Sequence, residues 1–488
     1  MLALARLMCI VFFATILAAQ TPAPIFSTFL GVADCDGIAL GANGDVYLAC
    51  HSPSNHLPID AKPPKQPASE GDFDAYVLRL NPKSGKLIYA TRVGGSGYDE
   101  ASRIKVDKDG FAYAVGFTKS HDFPTTANAL QTQFGGGDSD AFLVKVAPNG
   151  QIVYATFIGG TGADQGDALA LDNKGGVYVG GSTWSNDFPG QSTARVTSNG
   201  DAFFVHIDFR RPEAFHSVVF GGQKEDKLTG VAVDGRGGLF AVGYTQSRDF
   251  PSEKPVQAEL RGKGDLFLTR FAVPDLMLTF STFFGGSGDD SGWGVTVDSR
   301  GFPVVAGITD SKDLPTSRGA YQRTNGGGVD AFVAIFEGKG YDNVRSTYFG
   351  GSGDDSSGYD GDDIKIDHHG NVWLVGLTTS RHLATRNSLQ PQYGGGDGDG
   401  FLVAFSRQLT TLCYETYRGG KDRDFFEGLD VSNSGLIYAT GLTWSSELPM
   451  AANAIQRELA PVSVGGKFVN ATLLGLQTVD SCHTPIIH

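Results

Sequence analysis

Along this chain, short runs in which every second residue is apolar alternate with clusters of Gly, Asp, Asn, Ser and Pro, which is the period of β-strands and the punctuation of turns. One strand-like phrase ending in glycine returns at Phe26–Gly31, Tyr89–Gly95, Tyr154–Gly160, His216–Gly222, Phe280–Gly286, Arg345–Gly351 and Tyr414–Gly420. From Gly95 onward its copies lie 62–69 residues apart. A second phrase carries aliphatics at Ile38/Leu40, Ile104/Val106, Leu169/Leu171, Val231/Val233, Val295/Val297, Ile364/Ile366 and Leu429/Val431, with one small or polar residue between each pair. Tight turns such as Asp107–Gly110 and Asp298–Gly301 follow it, where aspartate bonds its own backbone and glycine accepts positive φ.

The next strand runs into Gly-x-Thr-x-Ser-x-Asp-Phe-Pro at Gly116–Pro124, Gly181–Pro189 and Gly243–Pro251, more loosely at Gly307–Pro315, Gly376–Ala384 and Gly441–Pro449, and most eroded at Ala49–Pro58. A third strand is expected at Asp74–Leu80, Asp140–Val146, Asp201–Ile207, Asp265–Phe271, Asp330–Phe336, Asp399–Phe405 and Lys467–Leu473. Four strands per unit and seven units predict an all-β, seven-bladed β-propeller of antiparallel blades, a closed ring that hides most sheet edges. The expected blades are approximately 33–95, 96–160, 161–222, 223–286, 287–351, 352–420 and 421–480, within one domain over 20–480, with a tail over 481–488. The strand at 25–31 precedes any complete unit, so it is expected to complete the last blade and close the ring; Leu474–Val479 is the rival for that place.

With these phrases in this order, the chain resembles the seven-bladed β-propeller repeat family known as SBBP repeats, over roughly residues 25–480. The resemblance implies a propeller fold and an exported bacterial setting, and it brings no shared catalytic residue. The first and sixth units depart from Asp-Phe-Pro, with His56-Leu57-Pro58 and His382-Leu383-Ala384.

Met1–Gln20, with Arg6 before the apolar run Leu7–Leu17 and Ala18-Ala19, reads as a secretory signal over 1–19. The protein is therefore expected to be exported to periplasm, cell surface or medium, with no transmembrane segment after cleavage. Cleavage leaves Cys35, Cys50, Cys413 and Cys482 in a compartment that permits disulfides; Cys35–Cys50 and Cys413–Cys482 are the favoured pairs, four separate thiols the alternative. The net charge of −14 disfavours nucleic acid, so the expected partner is a protein, peptide or polysaccharide outside the cytoplasm.

If the aliphatic strand is innermost, the blade-to-blade loops share a face with the loops between second and third strands, and that face reads as acidic. Around the channel mouth stand Asp36, Ser102, Asp167, Thr229, Trp293, Asp362 and Glu427, and such acids either hold a ligand or sit solvated on a rim. Four loops carry Gly-Gly-x-Gly-x-Asp, and Asp289, Asp290, Asp354 and Asp355 are the candidates for calcium, although copies one blade apart also fit glycines that merely turn the chain. Trp184 and Trp444 occupy a variable slot where an indole could stack on a sugar or a peptide side chain. No nucleophile elbow, zinc-protease motif or phosphate loop occurs. Two functions follow as expectations: a non-catalytic binding scaffold presenting the acidic loop face, or an extracellular hydrolase or lyase using mouth carboxylates on polysaccharide.

Overall fold

The computed structural model describes residues 24–31, 33–53, 73–172, 174–190, 199–211, 215–273, 275–358, 363–458, 463–464, 467–468, 470–477 and 482. The expected leader over 1–19 lies outside them, as do Asp362 and most of the tail. Among the described residues no helix is long and apolar enough to cross a membrane.

Seven antiparallel sheets form the ring. The first blade runs from the inner strand Asp34–Leu40 through Val46–Ser52 and Asp74–Asn81 to the outer strand Lys86–Val93, and the same order repeats around the ring. The seventh blade contains Asp424–Val431, Leu436–Thr443 and Asn470–Gln477, and its outer strand is Phe26–Phe29 from the start of the chain. Phe26 pairs with Gly475 and Phe29 with Thr472, so the amino-terminal strand closes the ring.

This closure corrects one boundary. The third strand of the last blade is Asn470–Gln477 rather than Lys467–Leu473, because Asn470 pairs with Thr443 as Asp399 pairs with Thr378 one blade earlier. Leu474 to Gln477 are consumed by that strand and leave the outer place to Phe26–Phe29.

The apolar core sits at the blade boundaries. Each strand turns alternate residues toward opposite neighbours, so one boundary cluster joins Tyr47, Val77 and Val93 of the first blade to Ile104, Phe142 and Phe157 of the second. The boundary at the seam joins Phe26, Tyr438 and Leu473 of the last blade to Ile38, Leu48 and Tyr76 of the first. No blade buries its own faces, which is why the array must close. The Asp-x-x-Gly turns form as expected: Asp107 Oδ1 accepts from the N–H groups of Asp109 and Phe111, Tyr113 Oη donates to Asp107 Oδ2, and Gly110 has φ +82°.

Candidate functional site

The Thr, Ser and Asp of the repeated phrase build a clasp at the blade boundary. Asp290, the first residue of an inner strand, is fully buried; its Oδ2 accepts from Gly286 N at 2.7 Å and Ser311 Oγ at 2.8 Å, and Thr309 Oγ1 donates to its Oδ1. Ser311 Oγ in turn accepts from Gly288 N at 2.7 Å, and Asp313 Oδ1 accepts from Ser287 N at 2.8 Å. The same serine-to-aspartate bond recurs as Ser120–Asp99, Ser185–Asp164, Ser247–Asp226, Ser380–Asp355 and Ser445–Asp424. The phrase thus ties the second strand, the loop after it and the incoming blade together.

Each clasp brings a second buried carboxylate close. The first aspartate of the preceding third strand faces the leading aspartate across the first glycine of the Gly-Gly pair: a Cβ on Gly159 would lie 2.6 Å from Asp140 Oδ1 and 2.7 Å from Asp164 Oδ2. Only glycine fits there. Burial raises Asp99, Asp164, Asp226 and Asp290 to about 6, the clasp hydrogen bonds opposing the shift. Burial likewise raises Asp140, Asp330 and Asp399 to about 7, with Asp164, Asp355 and Asp424 respectively adding repulsion.

These contacts revise the reading of the calcium candidates as surface acids. Asp290 and Asp355 are inside the boundary and committed to protein donors. Asp289 stays half-buried with Lys263 at 3.8 Å, and Asp354 stays exposed, accepting from Val329 N at 3.0 Å. The loop face is correspondingly less acidic than a count of its aspartates suggests.

The channel-mouth candidates share one backbone feature. The ladder between first and second strands skips Ser102, Asp167, Thr229, Trp293 and Glu427, each the extra residue of a β-bulge, and the first blade skips Cys35 and Asp36. A bulge leaves its extra residue outside the ladder and re-aims the side chain. In the sixth blade the inner strand breaks into Asp355–Ser357 and Ile364–Ile366, and Asp362 falls in the undescribed stretch between them. Neighbouring inner strands nearly touch at these bulges: a Cβ on Gly230 would lie 3.2 Å from Trp293 O, one on Gly358 2.7 Å from Glu427 O, and one on Gly428 2.9 Å from Asp36 O.

Below the mouth, a cavity of about 290 Å³ is lined by Arg103, Lys105, Thr229 and Lys365 among apolar groups. The residue after the bulge is Gly37, Ala168, Gly230, Gly294 or Gly428 in five blades, but Arg103 in the second and Asp363 in the sixth. Both are buried, and burial raises Asp363 to about 7 while Lys365 and Arg103 oppose the shift. The sequence reading missed this pair, although both break a run of small residues. The turn-side face carries a separate cavity of about 560 Å³ lined by Lys174, His206, Arg210, Arg211 and His216.

Trp184 is half-buried against Gly200, where a Cβ would meet its ring at 2.6 Å, and Trp444 lies 5.9 Å from the Phe425 ring. Each indole therefore has a packing partner on the rim. Trp373 is core, its Nε1 donating to Asp367 Oδ2 at 2.9 Å.

The first blade departs from the other six. Its second-strand position matching Gly116 is Cys50 rather than Ala49, because Cys50 pairs with Tyr76 as Gly116 pairs with Phe142. Ala33 takes the place of the leading aspartate, and across that boundary Asn470 replaces the third-strand aspartate. Cys35 and Cys50 are disulfide-bonded at the positions that Ala101 and Gly116 hold in the second blade. Cys413 is likewise joined to Cys482, fixing the outer strand of the sixth blade. Flanking the first disulfide, Asp34, Asp36 and His51 converge with ligand-type atoms all within 4.8 Å of one another, His51 Nδ1 lying 3.6 Å from Asp36 Oδ2. Burial and the charge of Asp36 raise the pKa of Asp34, while His51 and a hydrogen bond with Glu427 oppose the rise. Asp36 and Glu427 were legible as mouth residues; Asp34 and His51 as their neighbours were not.

Residues 153–189 match the SBBP family, described as a beta-propeller repeat. The regulatory protein FlaEY of Caulobacter vibrioides is 24% identical over 394 residues, covering 76% of this chain and 39% of that protein, so the chain spans about two fifths of its relative's length. Among solved structures, the Dos1 propeller aligns with a TM-score of 0.44 at 8% identity, covering 94% of this chain and 95% of that one. A virginiamycin B lyase of Staphylococcus aureus aligns with a TM-score of 0.41 at 9% identity, covering 92% and 98%.

Proposed function

We propose that this SBBP-repeat propeller is an exported, non-catalytic binding scaffold, presenting the loop face around its axial mouth to a protein, peptide or polysaccharide partner outside the cytoplasm. One contrast supports the reading. The clasp positions repeat Asp, Thr and Ser from blade to blade because they hold the boundaries together. The strand register passes over the bulge position, whose residue changes from blade to blade, as Asp36, Ser102, Asp167, Thr229, Trp293 and Glu427. A ring position that varies from blade to blade and is furnished with carboxylates, hydroxyls and an indole fits recognition of a polar ligand better than maintenance of the fold.

The test is a glycan and peptide array screen of the protein, followed by the double variant Asp167→Asn, Trp293→Ala. Binding should weaken by roughly tenfold or more, with melting unchanged. Turnover of a polysaccharide by the wild-type chain, lost in the double variant, would replace the scaffold reading with the hydrolase or lyase one.

A further inference from the structure

We infer that Asp34, Asp36 and His51, with Glu427 from the adjoining blade, form a binding site for one divalent transition-metal ion of the zinc class at the seam of the ring. Three observations converge on it. Two carboxylates and an imidazole already lie within 4.8 Å of one another, from two strands pinned by the disulfide between Cys35 and Cys50. Donors at 2.0–2.2 Å from a tetrahedral ion stand about 3.5 Å apart, so the Asp36–His51 separation of 3.6 Å is near that spacing and the third donor closes by about 1 Å.

Second, Asp34 Oδ1 and His51 Nδ1 are buried, and Asp34 meets the carboxylates of Glu427 and Asp36, a contact between acids that needs either a shared proton or a cation. Buried lone pairs without donors are costly, and a cation satisfies several at once. Third, His51 packs against Phe73 and Tyr98, whose rings lie 5.5 Å from each other and 6.0 Å from the imidazole, so its orientation is constrained before any ligand arrives.

The donor set chooses the metal. An imidazole among carboxylates suits zinc or manganese, whereas calcium takes six to eight oxygens and no nitrogen. Glu427 approaches Asp34 from the seventh blade, so a bound ion would also tie the two ends of the ring across its seam. This inference is independent of the scaffold reading, since it needs no extracellular partner.

The experiment uses the untagged full chain, stripped with chelator and titrated with Zn²⁺ by calorimetry. One ion per chain should bind, and His51→Ala or Asp36→Asn should weaken it by at least about tenfold to a hundredfold. The double variant His368→Ala, His369→Ala, which removes the paired imidazoles of a distant turn, should bind as wild type. Co²⁺ added to the wild-type protein should give visible bands of a nitrogen-containing, low-coordinate site, a readout that needs no variant to fold. The proposal is overturned by absence of binding, by affinity that survives His51→Ala, by loss in the His368/His369 variant, or by Ca²⁺ displacing Zn²⁺ at equal concentration.

Discussion

Replacing Ser311 with alanine removes one hydroxyl from a boundary clasp and leaves the packing otherwise in place. Ser311 is 1% exposed; its Oγ donates to Asp290 Oδ2 at 2.8 Å and accepts from Gly288 N at 2.7 Å. A hydrogen bond to a charged acceptor contributes about 2 kcal/mol, and an amide left without its acceptor costs about 1 kcal/mol more. The expected loss is therefore about 3 kcal/mol, a fall in melting temperature of roughly 3 °C for a ring of this size. The loss also depends on pH. Burial raises Asp290 from 3.8 to about 6 in the folded protein, so the folded state binds the proton more tightly than the unfolded state, and stability falls as pH rises through 6. The Ser311 bond opposes that rise. Without it the folded pKa rises further, so the variant should lose more stability at pH 8 than at pH 5. Calorimetric melting of both proteins at the two pH values is the assay. A loss below about 0.5 kcal/mol, or one equal at both pH values, would refute the view that the carboxylate is held by this hydroxyl.

The glycine of the repeated phrase should be intolerant of any side chain: Gly307→Ala would place a Cβ 2.0 Å from Ser291 O beside the bulge, and a loss of about 3 kcal/mol or more is expected in denaturant titration. At the seam, Phe29 is fully buried in the closing strand, so Phe29→Ala should cost about 3–5 kcal/mol and raise amide exchange in Asn470–Gln477 before the other blades; uniform exchange across the ring would contradict closure by that strand. The wild-type ring itself should melt higher at pH 5 than at pH 8, because Asp99, Asp164, Asp226 and Asp290 all have folded pKa values raised to about 6.

The fold was largely readable from one dimension because its information is local and repeated. The alternation at Ile104/Val106, the Asp107–Gly110 turn and the phrase after Gly116 each declare a strand or turn within a few residues, and seven copies leave a propeller as the consistent closure. Even the surplus strand at Phe26–Phe29 announced the seam by its phase. The third strand of the last blade slipped because Asn470 stands where its six counterparts have aspartate, and no pattern along the chain ranks that asparagine above Lys467.

Burial of individual carboxylates was decided elsewhere. Asp289 and Asp290 are neighbours in sequence, yet one is half-exposed and the other is enclosed by Thr309, Ser311 and Gly286, because strand pairing turns consecutive residues to opposite sides. The bulges that take Asp167 and Trp293 out of the ladder depend on how closely the second strand can approach, which Gly181 and Gly307 permit. His51 meets Asp34 and Asp36 only because Cys50 holds the place of that glycine and joins Cys35. Sequence determined the repeat, the strands and the order of the ring, since those arise from contacts within a unit. Tertiary structure alone decided which polar groups face one another across a boundary, since that depends on distances between residues that the chain order does not encode.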